Sequence, residues 1–236
     1  MRQAVKGGGA TITSMGTLYL VRHGQASFGA VDYDQLSELG AKQCHELGRY
    51  LRKRGRRFEA VLRGTLKRHE QSLAALTEGY GVLPDALLWP GLNEYDSEAV
   101  VRAIHPGPLA AADTPEMYRL HFRLLRQGLA AWMARRTAPV GMPLYTDFAA
   151  GVAAALDHVR TQYTGDVLLV SSGGPISTAV GLVLGTAAQT SIELNLRIRN
   201  SALTELVFTP KRHVLQSFNH TPHLDHADRH DWVTYA

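Results

Sequence analysis

Three short apolar runs constrain the fold more than any other feature of this chain. Leu18-Tyr19-Leu20-Val21, Glu59-Ala60-Val61-Leu62 and Val167-Leu168-Leu169-Val170 are too short for helices, and a glycine follows each within four residues. Continuous apolar stretches of this length read as strands buried on both faces. Helical patterns lie between them. Ser37 is placed to cap a helix running to about Arg54, where Gly55 stops it. Further helices are expected from about Leu66 to Gly79, from about Phe148 to Gln162, and from Pro175 onward. Leu203 to Phe208 and Val214 to Phe218 read as a hairpin turning through Thr209-Pro210-Lys211-Arg212. Strands that alternate with helices give a largely parallel sheet covered on both faces. The expected architecture is an α/β three-layer sandwich around a doubly wound, mostly parallel sheet.

Between Glu94 and about Tyr145 the strand signal disappears. The stretch carries Pro106, Pro108, Pro115, Pro139 and Pro143, and its one clear element is a helix beginning around Asp113 to Glu116 and running to about Arg135. Residues 95–145 are read as a helical cap inserted over the sheet of a single domain, residues 16–236. Residues 1–15 read as a flexible N-terminal extension, Gly-rich at Gly7-Gly8-Gly9 and without the apolar core of a secretory signal. No apolar run reaches the roughly 18 residues of a membrane span, so no membrane partner is expected. The net charge of +4 is scattered along the chain, which suits small anionic substrates and does not by itself argue for nucleic acid. The only cysteine, Cys44, cannot form an internal disulfide, which favours a reducing, cytoplasmic setting. Nothing in the sequence fixes an oligomeric state.

In such sheets ligands bind at the carboxyl ends of the strands, and three strand ends here carry unusual chemistry. The first is Arg22-His23-Gly24-Gln25. A histidine just past a buried strand is held rigidly, a glycine beside it permits close backbone approach, and an arginine offers a planar fork matched to phosphate oxygens. The second places Arg68 in the first turn of the next helix, where a cation opposes the helix dipole unless an anion sits there. The third, Ser171-Ser172-Gly173-Gly174-Pro175, leads a glycine-rich turn into a helix N-terminus that presents N–H groups to an anion.

These segments occur in order with Leu36-Ser37-Glu38-Leu39-Gly40, Gln43, Leu66-Lys67-Arg68, Leu92-Asn93-Glu94, Asn200 to Leu206 and Asn219 to Leu224. Taken together they resemble the histidine phosphatase superfamily, the phosphoglycerate mutase-like group, over about residues 16–224. The resemblance implies that His23 is the nucleophile that becomes phosphohistidine and that Glu94 protonates the leaving group. It also implies that Arg22 and Arg68 hold the phosphoryl oxygens, with Gly24, Gln25, Ser172 and Gly173 completing the phosphate site. No cofactor and no metal are called for, because two guanidinium groups can hold the developing charge. The expected partner is a small phosphorylated substrate, a phosphomonoester or a protein phosphate.

The pattern departs from the family at Ser172, where most active members carry a second histidine. A serine hydroxyl still donates a hydrogen bond, but without charge. Losing one preorganised donor costs about 2.7–4 kcal/mol, on the order of 10²–10³ in rate. Gly29 stands where sugar-phosphate mutases of the group tend to have Asn, and Gln25 replaces the commoner Glu. Three functions follow: a phosphohydrolase, a weak or inactive phosphate-ester binding protein of the same fold, and, less favoured, a phosphoglycerate mutase. His223 is a candidate to replace the missing imidazole. The same tail, His220, His223, His226 and His230 with Asp225, Asp228 and Asp231, offers metal-ligand types, but Pro222 interrupts their helical spacing. Arg119, Arg123 and Arg126 share one helix face and read more naturally as a solvated face than as a substrate-binding rim.

Overall fold

The computed structural model describes residues 15–27, 34–111 and 113–235. Gly29 and the N-terminal extension up to Ser14 therefore lie outside the described residues. Six strands form one mixed sheet: β1 (Gly16–Arg22), β2 (Phe58–Arg63), β3 (Ala86–Leu88), β4 (Asp166–Ser171), β5 (Leu203–Thr209) and β6 (Arg212–His220), in the spatial order β3-β2-β4-β1-β5-β6. The first four in that order run parallel. The hairpin β5–β6 adds two antiparallel strands at the other edge. Between the strands lie α1 (Glu38–Lys53), α2 (Lys67–Tyr80), α3 (Ser97–Arg102), α4 (Pro115–Met133), α5 (Tyr145–Gln162), α6 (Gly173–Leu184) and α7 (Ala188–Asn195).

The alternation of side chains along β1 shows why the sheet needs two helical layers. Leu18 and Leu20 pack with Val152, Leu156 and Val159 of α5 and Ile176 of α6. Tyr19 and Val21 point the other way, into Cys44, Leu47 and Leu51 of α1 and Leu76 of α2. Every one of these β1 side chains is at most 1% exposed, so truncating one, as in Leu20→Ala, costs about 2–5 kcal/mol. The central strands are thus fixed rigidly, and so are the residues that follow them.

Three elements are absent from the sequence reading. β3 is a three-residue edge strand whose Leu87 and Leu88 are exposed, so it leaves no buried apolar run to find. α3 is one and a half turns long. α7 starts after Ala187 with no side-chain cap. The helix expected from Pro175 begins two residues earlier, at Gly173. Proline is tolerated there because the first N–H groups of a helix have no intrahelical partner. Among its described residues the insertion contributes no strand, and its main helix, α4, is capped by Thr114, whose hydroxyl accepts from Met117 N–H at 3.2 Å. Trp132 of α4 is buried, and its indole N–H donates to the Pro143 carbonyl at 3.1 Å. Among the described residues no helix is long and apolar enough to cross a membrane.

Candidate active site

His23 is positioned by main-chain bonds on two sides. Its N–H donates to the Ser171 carbonyl at 2.9 Å, and its own carbonyl accepts from Ser201 N–H at 3.1 Å. The backbone is therefore pinned between the ends of β4 and β5. The ring Nδ1 lies 2.7 Å from the Gly24 carbonyl. A carbonyl can only accept, so Nδ1 carries the proton and Nε2 keeps its lone pair. Burial pushes the His23 pKa well below 6.5, and Arg22, Arg68 and His69 push it the same way. The imidazole is neutral near pH 7 and nucleophilic at Nε2.

Two guanidinium groups flank it. Arg22 closes β1, is 5% exposed, and donates to the Ile198 carbonyl at 2.5 Å. Arg68 stands in the first turn of α2, where the anion expected at that helix start proves to be Asp34. Its carboxylate accepts from the Arg68 guanidinium at 2.8 Å and from Lys67 N–H at 2.9 Å. One side chain thus satisfies a helix donor and steadies the arginine.

Glu94 reaches the same place from the loop after β3. That loop is tied to the ends of β2 and β4. Asn93 exchanges hydrogen bonds with Thr65 at 2.7 and 2.6 Å, and the Leu92 carbonyl accepts from Ser171 at 2.7 Å. The Glu94 carboxylate takes the N–H of Gly174 at the start of α6, 3.1 Å from each oxygen. The anion at this helix N-terminus is therefore again a protein carboxylate. Burial raises the Glu94 pKa above its ordinary value, while the Gly174 N–H, Arg68 and Arg22 oppose the rise.

Arg22, His23, Arg68, Glu94 and Gly173 line one cleft of about 660 Å³. Gly24, Gln25 and Ser172, expected at the phosphate site, do not line it. A Cβ on Gly24 would come within 2.3 Å of the Gly40 carbonyl oxygen, and Gly24 N–H donates to Ser72 at 3.1 Å. This glycine permits close backbone packing against α1. Gln25 is occupied with Ser37, the cap of α1, whose hydroxyl donates to its side chain at 2.9 Å.

Ser172 is fully buried, and its Oγ lies 2.7 Å from Nε2 of His69. The sequence reading passed over His69. It is fully buried beside His23, with ring centroids 5.9 Å apart, and burial, reinforced by Arg68 and Arg63, lowers its pKa to about 3. Gly64 makes room for it: a Cβ there would lie 2.2 Å from its Nδ1. The available signal was helical spacing, since His69, Ser72 and Leu76 recur on the buried face of α2. His223, proposed above as a substitute imidazole, is engaged elsewhere, 2.9 Å from the Ser201 hydroxyl, and does not line the cleft.

A sequence model of the histidine phosphatase superfamily, branch 1, matches residues 18–221. The chain belongs to this superfamily. A search of curated proteins returned no match. Among solved structures, a mycobacterial glucosyl-3-phosphoglycerate phosphatase is 22% identical with a TM-score of 0.59, covering 87% of this chain and 99% of its own. Phosphoserine phosphatase from Entamoeba histolytica is 20% identical with a TM-score of 0.61, covering 88% and 98%. Phosphoglycerate mutase from Bacillus anthracis is 17% identical with a TM-score of 0.60, covering 89% and 96%. At these identities the likeness is one of fold.

In this member of the superfamily the inserted helices wall the cleft away from the sheet. α3, the loop after it, one face of α4 and the end of α7 all contribute. Of the three arginines on α4, Arg119 pairs with Glu116 and Arg126 with Glu193, and none of the three lines the cleft. A wider depression of about 840 Å³, lined by Arg49, Arg52, Lys53, His223 and Arg229 among others, contains none of the residues gathered around His23. Among the described residues no group of His, Cys, Asp and Glu is arranged to hold a metal ion.

Proposed function

We propose that the chain is a phosphohydrolase that cleaves a small phosphomonoester through a phosphohistidine at His23. One observation carries this reading: a neutral imidazole with its Nε2 lone pair available lines a cleft with two guanidinium groups and a carboxyl of raised pKa. Nε2 attacks phosphorus, the P–O bond to the alcohol breaks, and protonated Glu94 gives its proton to the leaving oxygen. Water then attacks the phosphorus, the N–P bond breaks, and the Glu94 carboxylate takes the proton of that water. Inorganic phosphate leaves and His23 is neutral again. Arg22 and Arg68 hold the equatorial oxygens, supplying the charge stabilisation that phosphoryl transfer needs. An arriving phosphoryl dianion offsets both cations, so their pull on Glu94 weakens and its acid form is favoured.

His69 and Ser172 act in this reading as a couple. Nδ1 of His69 is buried with no hydrogen-bond partner among the described residues. A buried lone pair is tolerated better than a buried unpaired N–H, so the proton belongs on Nε2 and is donated to Ser172 Oγ. Ser172 does not itself line the cleft but adjoins Gly173, which does, and its hydroxyl hydrogen is left to turn toward a phosphoryl group seated there. His69 is a positioning residue here and Ser172 the donor. The absence of a charged donor at 172 also favours a second reading, a phosphate-ester binding protein with slow or no turnover. Phosphate release from a panel of phosphomonoesters, measured with a chelator present, separates them. Release that disappears in His23→Ala supports the hydrolase; phosphate binding without release supports the binder.

A further inference from the structure

The two ends of the cleft differ in chemistry. Beyond Arg22, His23, Arg68 and Glu94, the apolar lining comes from Val101, Pro106, Leu109, Tyr118, Phe122 and Leu125, with Ser97 and His105 among the polar lining residues. The rings of Tyr118 and Phe122 lie 4.7 Å apart and form one aromatic side. His121 holds the loop against α4 through the Ala110 carbonyl at 2.8 Å, and Asn195 donates to the Tyr95 hydroxyl at 2.8 Å. Outside the phosphoryl end, the only Lys, Arg, Asp or Glu among the described lining residues are Glu98 and Arg102. They pair with each other at 3.4 Å, with side chains 81% and 64% exposed.

We infer that the alcohol portion of the substrate is a neutral, apolar body, aromatic or branched alkyl, rather than one bearing a second anionic group. This rests on the phosphomonoester reading above. The chamber has the size of a small-molecule site, and an apolar body gains by leaving water. Away from the phosphoryl end, a second carboxylate or phosphate buried there would meet, among the described lining residues, no Lys or Arg that lacks a carboxylate partner, and burying such a charge without a partner is strongly unfavourable. The selection therefore differs from what anionic sugar or amino-acid phosphates require.

The test compares two non-hydrolysable probes on the full chain by calorimetry: phenylpropylphosphonate and phosphonopropanoate, with inorganic phosphate as reference. Wild type is expected to bind the phenylpropyl compound at least about tenfold more tightly than either other ligand, the scale of one or two well-placed apolar contacts. Leu109→Arg, in a half-buried loop position, is expected to narrow or reverse the ratio, and Phe122→Ala to weaken the phenylpropyl compound alone; thermal melts confirm folding. Equal or tighter binding of phosphonopropanoate, of phosphate alone, or a ratio unmoved by Leu109→Arg would overturn the inference. The hydrolase reading is judged separately, by His23-dependent phosphate release, so either can fail without the other. If none of the three ligands binds, the phosphoryl site itself is refuted, and the inference falls with it.

Discussion

The end of the cleft around His23, proposed to take the phosphoryl group, and the chamber beyond it are built by opposite means. At that end Arg22 and His23 hang from a strand terminus and Arg68 from a helix start, Glu94 comes from a loop tied to two strand ends, and His23 is fixed by backbone bonds to Ser171 and Ser201. Charges there are dense and buried. In the chamber the walls come from the short α3, one face of the long α4 and a proline-bearing loop, and the few charges pair with one another at the rim. The contrast separates two tasks. A rigid sheet supplies geometry for bond-making, where misplacement by about 1 Å can cost roughly 10² in rate. A packed but replaceable wall supplies selection, where apolar contacts trade in factors of about 10–200.

The largest expected effect is at the nucleophile. His23→Ala should lower kcat by at least about 10³, the scale on which removing a nucleophile erases covalent catalysis, with thermal stability retained. Residual hydrolysis near the wild-type rate would break the distinction drawn above. Glu94→Gln should cost about 10²–10⁴. Because the proposed mechanism needs Glu94 protonated in its first step, kcat should fall as pH rises through its raised pKa, and the Gln variant should lose that descending limb. An unchanged limb would assign it to another group.

Next comes the couple behind His23. Ser172→Ala should cost about 10² in kcat, His69→Ala about tenfold, and the double variant no more than Ser172→Ala alone. Independent, multiplying effects would separate the two residues. Ser172→His should give little gain by itself, since His69 already fills the adjoining space and overpacking costs about 1–3 kcal/mol. Combining it with His69→Ala should recover more activity than Ser172→His alone.

The smallest effect is on stability. His23, His69 and His223 are all held below the usual 6.5, the last two to about 3. The unfolded chain takes up these protons near pH 6.5 while the folded chain does not. Stability should therefore fall with decreasing pH below about 6.5, by up to about 1.4 kcal/mol per pH unit for each histidine. Glu94, with its raised pKa, contributes with the opposite sign. Denaturant titrations of His223→Gln should show a shallower slope by about one histidine; an identical slope would contradict the assignment.

Much of the phosphoryl end was legible because its signals are local. An apolar run followed by Arg22-His23 announces a strand end with chemistry on it, and Leu66-Lys67-Arg68 a helix start with a misplaced cation. The packing role of Gly24 was not legible because its close neighbour is Gly40, sixteen residues away in sequence and brought near only when α1 docks. Asp34 and His69 were missed for the same reason: each is defined by a partner, Arg68 or Ser172, brought near only by the fold. The chamber was least legible. Val101 and Leu109 sit on a short helix and a loop, and the half-buried Phe122 of α4 looks like part of any surface helix until the cleft it lines is seen.

The most direct test of the central claim is to trap the intermediate. Wild-type protein mixed with a phosphomonoester, quenched in alkali and digested, should yield the peptide spanning His23 heavier by one phosphoryl group, with an alkali-stable, acid-labile bond. His23→Ala should give no phosphorylated peptide. Steady phosphate release with no phosphoryl group on His23 at any quench time, or with the label on another residue, would contradict the account.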